Sequence, residues 1–172
     1  MEHPMRRLGC VALAAAMAAM LAVALVACGE KNEPAADDEG STVQIPNPWT
    51  TYTTLADAEA AAGFALSVPE TVMSKDITLI QAMDGGIIQV SYGSSDARVL
   101  VRKGPGSGDI SGDYNSYPST QIITVDDVAV TVKGSEDRFS TAMWAAKGYS
   151  YAILFDSPAI IDTIIDLVQH IE

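Results

Sequence analysis

The sequence predicts an α+β domain: an antiparallel sheet of about six strands, with a short N-terminal helix and a C-terminal helix packed on one face. Three observations predict it. From Asp76 to Phe155, runs of β-branched and aromatic residues alternate with polar ones and are punctuated by turn residues such as Asp84-Gly85-Gly86, Asp126-Asp127 and Lys147-Gly148. Apolar residues recur at helical spacing only at the two ends of this region. No helical stretch falls between successive strands, so the βαβ alternation of a parallel sheet is excluded.

The first element is a helix over Leu55 to Phe64. Thr54 is a good N-cap, Leu55, Ala58 and Ala62 share one side, and Gly63 stops it. Phe64, Leu66 and Val68 then alternate until Pro69 breaks the pattern. Asp76 to Met83 reads as a strand with Ile77, Leu79 and Met83 on one face. Ile87 to Tyr92 follows with Ile88, Val90 and Tyr92 in register, then Arg98 to Lys103 with Val99 and Val101 inward. Gly104 to Ser119 is rich in Gly, Ser and Asp and reads as a long loop. Thr120 to Val125 and Val128 to Lys133 form a hairpin about Asp126-Asp127. Phe139 to Ala146 and Tyr149 to Phe155 form a second, with Tyr149, Tyr151, Ile153 and Phe155 alternating. The last helix is expected to start with Ser157 as N-cap and Pro158 at its first position. Ile160, Ile161, Ile164, Leu167, Val168 and Ile171 form its apolar stripe, opposite Asp162 and Asp166.

Ahead of the domain the composition changes. Met1 to Arg7 carries Arg6 and Arg7 against Glu2, and Leu8 to Ala27 is uncharged and rich in Ala, Leu, Met and Val. This is the layout of an export signal. The run ends in Leu25-Val26-Ala27-Cys28, which resembles the lipobox of bacterial lipoproteins: an aliphatic residue, a small residue before the cleavage point, then cysteine. The resemblance implies a signal peptide over residues 1–27, diacylglyceryl transfer to the Cys28 sulfur, and acylation, commonly palmitate, of the new amino terminus. Several acyl chains at about 0.8 kcal/mol per buried CH₂ would hold the protein on its membrane. Residues 28–48, GEKNEPAADDEGSTVQIPNP after the cysteine, are rich in charge, Pro and Gly and read as a tether with a reach on the order of 25 Å. The single domain is assigned to residues 49–172.

The chain of 172 residues has a formal charge of −12. Loss of residues 1–27 removes two bases and one acid and leaves −13. Such acidity speaks against nucleic acid as a partner, because binding a polyanion relies on clustered Lys and Arg. Cys10 lies in the signal and Cys28 at the lipidation point, so the domain has neither a disulfide nor a thiolate. Its fold must be held by its core.

Catalytic side chains are scarce. His3 goes with the signal, and His170 sits at the end of the last helix, where a cation suits the dipole. No Ser–His–acid set and no His/Cys metal cluster can be assembled, so no metal and no cofactor is expected. Asp126-Asp127 is more simply a turn than a carboxylate pair for glycoside hydrolysis. The one segment with a pattern is Gly104 to Tyr117. Asp109, Ser111, Asp113 and Asn115 present oxygens at alternate positions, as a calcium loop does. Tyr114 and Thr120 stand where an EF-hand has its glycine and its closing acid, so turn-capping by Asp and Asn is the preferred reading. Tyr114 and Tyr117 of this loop, with Trp49 and Tyr52 ahead of the first helix, are candidate recognition aromatics, with packing onto the sheet as the commoner role.

Several short motifs in order resemble the bacterial domain-of-unknown-function family 4367. They are Pro48-Trp49, Ala62-Gly63-Phe64 with Val68-Pro69, Ile88-Gln89-Val90-Ser91-Tyr92 and Arg102-Lys103-Gly104. Asp109 to Asn115, Val132-Lys133-Gly134 and the Trp144 to Tyr151 hairpin complete the set. The resemblance covers Trp49 to Glu172 and implies a domain found in exported lipoproteins and in the extracytoplasmic parts of membrane proteins. It brings no activity, ligand or catalytic residue. The resulting expectation is a lipid-anchored, non-enzymatic module on the extracytoplasmic face of the cell membrane that binds or senses an envelope protein or peptide. The alternatives are a structural spacer of an envelope complex and a carboxylate-dependent cell-wall hydrolase.

Overall fold

The computed structural model describes residues 46–172. The expected signal peptide over residues 1–27, the expected lipidation point Cys28 and all but the last residues of the expected tether lie outside them. Strand β1 (Thr50–Tyr52) is followed by helix α1 (Leu55–Ala62), and the two-residue β2 (Thr71–Val72) leads into β3 (Lys75–Ala82). Then come β4 (Ile88–Tyr92), β5 (Val99–Pro105), β6 (Ser119–Val125), β7 (Val128–Ser135), β8 (Arg138–Ala146) and β9 (Tyr149–Ala159), and α2 (Ile161–His170) closes the domain. Eight strands lie side by side in the order β1-β3-β4-β5-β9-β8-β7-β6, and β2 forms a small ribbon with β3. Every pairing is antiparallel.

The order reveals two meanders, β3-β4-β5 and β6-β7-β8-β9, joined along the β5·β9 ladder from Val99↔Phe155 to Pro105↔Tyr149. Helix α1 packs on β1, β3 and β4, and α2 packs on β6 and β8. Ala58 and Ala62 of α1 and Ile164, Leu167 and Val168 of α2 are buried in one cluster with Ile88, Val90, Val101, Ile153, Ala142 and Val132. After the helices, Ser67 and Glu172 exchange both backbone hydrogen bonds, at 2.8 and 3.1 Å, which draws the two covering segments together.

The antiparallel sheet with two helices is as the sequence predicts, but the expectation of about six strands is too low. Two of the additional strands are β1, in the segment read as lead-in, and β2. The turn between β2 and β3 is Met73-Ser74, with φ of 50° and 61°. Positive φ at both positions is a type I′ geometry that Asn-Gly usually signals, so this sequence hides it.

Two further expectations are corrected. Leu79 does not face the core: it is 38% exposed, while Ile80 and Ala82 are buried. A bulge between Ile77 and Leu79 inserts one residue and reverses the alternation beyond it. Thr78 marks it, its hydroxyl donating to the carbonyls of Ser91 and Gly93. Helix α2 starts later than Ser157-Pro158, because β9 runs on to Ala159, which pairs with Phe139 across a second bulge. Proline's fixed φ suits an extended segment as well as a first helical turn, and here the strand takes it. By contrast, the start and stop of α1 are as expected. Thr54 Oγ1 accepts from the Asp57 amide at 3.2 Å, and Gly63 is left-handed at φ 83°.

Candidate functional site

Linking the end of β5 to β6 carries the chain from mid-sheet to the far edge, past β9, β8 and β7. Residues 106–118 make this crossing on the face away from the helices, the expected loop being shortened at its start because Gly104 and Pro105 continue β5. Its aspartates supply the fastenings. Asp109 Oδ1 accepts from the Ser111 amide (2.8 Å) and hydroxyl (2.6 Å), and the Ser111 hydroxyl accepts from the Asp113 amide at 3.1 Å. Asp113 Oδ1 accepts from the Asn115 backbone (3.0 Å) and side chain (2.8 Å). Two successive Asx turns thus give the loop its shape.

The other oxygens reach outward. Asp113 Oδ2 accepts from the Tyr117 hydroxyl at 2.7 Å and from Thr141 Oγ1 of β8 at 2.6 Å. Asp109 Oδ2 lies 3.7 Å from Lys133 Nζ of β7. Burial alone would raise the Asp113 pKa, but hydrogen bonds from Thr141, Tyr117 and Asn115 outweigh it and hold the carboxyl at about 2. Burial likewise works to raise Asp109, and the bonds from Ser111 and the charge of Lys133 bring it below the ordinary value. The alternating Asp-Ser-Asp-Asn pattern is therefore brought together as the sequence suggests. Its carboxylate oxygens are engaged by protein donors, and among the described residues no group of His, Cys, Asp and Glu is arranged to hold a metal ion.

Arg102 of β5 supports the same loop from beneath, donating through Nη1 to the Ile110 (3.2 Å) and Ser111 (2.5 Å) carbonyls. Its Nε donates to Gln89, whose amide donates to Gln81, whose amide in turn donates to Thr51. These residues are register partners on β5, β4, β3 and β1. One polar row therefore links the crossover loop to the edge of the sheet. Burial lowers the Arg102 pKa from its ordinary value, and the guanidinium stays charged.

The four aromatics do not converge on one surface. The Trp49 ring lies over Arg102, 5.5 Å from guanidinium carbon to ring centroid. Tyr52 packs against the core on the helix side, and Tyr117 is held by Asp113. Tyr114 alone projects into solvent, 97% exposed.

Sequence reasoning gave no sign of the cluster on the helix side. Lys103 is 7% exposed, donates to the Ala65 carbonyl at 2.7 Å, and lies 4.7 Å and 5.2 Å from the Tyr149 and Tyr151 ring centroids. Burial lowers its pKa, and the aromatic faces replace part of the lost hydration of the ammonium. Tyr151 stacks on Trp144, the ring centroids 5.0 Å apart. Beside that stack a cleft of about 220 Å³ is lined by Val125, Asp126, Trp144, Lys147, Tyr151 and Glu172. It is smaller than the roughly 300–1,000 Å³ usual for small-molecule pockets. The arrangement can seat a side chain or a small polar group, and it offers no nucleophile–base pair. Among the described residues no helix is long and apolar enough to cross a membrane. No family model, no curated protein and no solved structure matches the chain.

Proposed function

We propose that the chain is a lipid-anchored lipoprotein of the extracytoplasmic membrane face, whose domain is a non-enzymatic module that binds or senses an envelope protein or peptide. The observation that carries this reading is Leu25-Val26-Ala27-Cys28 at the end of an uncharged run, followed by a charged, proline-containing tether. The resemblance to family 4367 belongs to the same proposal, since it places such domains outside the cytoplasm.

The chemistry of the domain supports a binding role over a hydrolytic one. A carboxyl serving as general acid needs a raised pKa, and the two loop aspartates with resolved shifts are pushed down. Both serve as hydrogen-bond acceptors that fasten a loop. A structural spacer would share the anchor and the tether, and differs in making no exchangeable contact.

The test is metabolic labelling with an alkyne-bearing palmitate analogue, combined with crosslinking in living cells. Label and membrane retention are expected in the native chain and lost in Cys28→Ala, with one reproducible protein crosslinked only to the anchored form. Label that persists in Cys28→Ala would overturn the anchor. Turnover of wall fragments that vanishes in Asp109→Asn or Asp113→Asn would replace the binding role with hydrolysis.

A further inference from the structure

The two edges of the sheet are built differently. Strand β1 is three residues long and follows Pro46 and Pro48, which blunt it against further pairing. Strand β6 is seven residues long, Ser-Thr-Gln-Ile-Ile-Thr-Val, with no charge and no proline within it. Among the described residues no strand pairs with its outer side.

The register fixes which backbone groups face outward. Asp126 and Asp127 have φ of 45° and 68°, a type I′ turn closed by the Val125↔Val128 pair. Hydrogen-bonded positions alternate from there, so Val125, Ile123, Gln121 and Ser119 bond to β7. Thr120, Ile122 and Thr124 then turn their N–H and C=O groups away from the sheet. The same three side chains are exposed, and Ile122, in the middle, is 72% exposed. An uncharged, β-branched strand with three free donor–acceptor pairs is the kind of edge that native proteins otherwise guard with charge.

The ends of this edge are acidic. Asp126 and Asp127 are exposed at the Val125 end. At the Ser119 end the β7–β8 turn holds exposed Glu136 and Asp137, with Arg138 offsetting one of them. We infer that β6 is a docking edge for an extended segment of a partner protein, antiparallel to it, with a β-branched, uncharged centre opposite Ile122 and Lys or Arg before that centre. Antiparallel pairing continues the pattern of every other ladder and puts the basic residues beside Asp126 and Asp127. A second copy of this chain fits less well. Pairing about Ile122 would bring Asp126-Asp127 of one copy toward Glu136 of the other, between two strongly acidic molecules. The inference rests on the binding role proposed above and specifies its surface and its partner's chemistry.

The full chain in detergent is titrated against a fluorescent peptide of two lysines followed by alternating threonine and valine. Saturable binding that weakens with salt is expected, with hydrogen-exchange protection at the amides of Thr120, Ile122 and Thr124. Ile122→Lys, a change at an exposed position, should weaken binding at least about tenfold. Asp126→Asn with Asp127→Asn should flatten the salt dependence, and a peptide with glutamate in place of lysine should bind less tightly. Equal binding by wild type and Ile122→Lys, or protection confined to another surface, overturns the inference. A photo-crosslinking residue placed at position 122 or at 114 in cells separates this from the binding role itself. Capture at 114 alone overturns the edge and leaves the binding role standing, capture at neither overturns both, and a crosslinked homodimer through 122 assigns the edge to a second copy instead.

Discussion

Asp113 concentrates more hydrogen bonds than any other loop side chain described, accepting from Asn115, Tyr117 and Thr141. Its pKa falls from an ordinary 3.8 to about 2 on folding, so the linkage sign is that of a depressed acid. The stabilisation is complete above about pH 5 and is lost as the pH falls from about 4 to 2. Partial exposure screens the effect to about 1 kcal/mol. Urea midpoints should therefore drop between pH 5 and pH 2 in the wild type, and drop less in Asp113→Ala. Ser150 is the contrasting case. Its hydroxyl is buried with no partner among the described residues. Ser150→Ala should leave stability unchanged or raise it by up to about 1 kcal/mol, read from the same midpoints. The aspartate spacing was legible in the sequence because Asx turns are local. Arg102, Lys133 and Thr141 were not, since each meets the loop from a strand elsewhere in the sheet.

The helices and hairpins differ in how openly the sequence states them. Helix α1 could be bounded from both sides because Thr54 and Gly63 act through bonds to residues a turn away. Strand β3 could not, because one bulge residue reverses every later side chain, and Thr78 fixes that bulge only through the carbonyls of Ser91 and Gly93, distant in sequence. The β2–β3 turn was hidden for a different reason. Met73 and Ser74 occupy left-handed conformations that cost a side-chain-bearing residue roughly 1 kcal/mol each. Replacing the pair with Asn-Gly should accordingly raise the melting temperature, by about 4 °C for each kcal/mol gained. Gly134 shows the opposite constraint. A methyl group there would overlap the Arg138 carbonyl oxygen, where β7 faces the bulge in β8. Gly134→Ala should destabilise by about 3 kcal/mol, the upper end of what a forced backbone shift usually costs. A strong loss of the urea midpoint checks it, and a neutral result would mean the β7–β8 turn can yield.

On the scale of the whole molecule, the two meanders share one core but only one ladder, β5·β9, seven pairs long. Val101 and Ile153 face each other next to its central pair, both fully buried. The crossover loop adds a second link, tying Arg102 of the first meander to Thr141 and Lys133 of the second through residues 109–113. A seam that exposes two large apolar faces if it opens should make the halves unfold together. The two tryptophans report on opposite sides of that seam, Trp49 over Arg102 and Trp144 against Tyr151. In Trp144→Phe the fluorescence of Trp49 follows the first meander, while circular dichroism follows the whole sheet. Both signals should trace one urea transition with a common midpoint, and the same should hold for Trp144 in Trp49→Phe. Separate midpoints would mean that the β5·β9 ladder joins two independent units. The crossover loop would then be a hinge between them, and its aspartates would govern their relative position more than the stability of either.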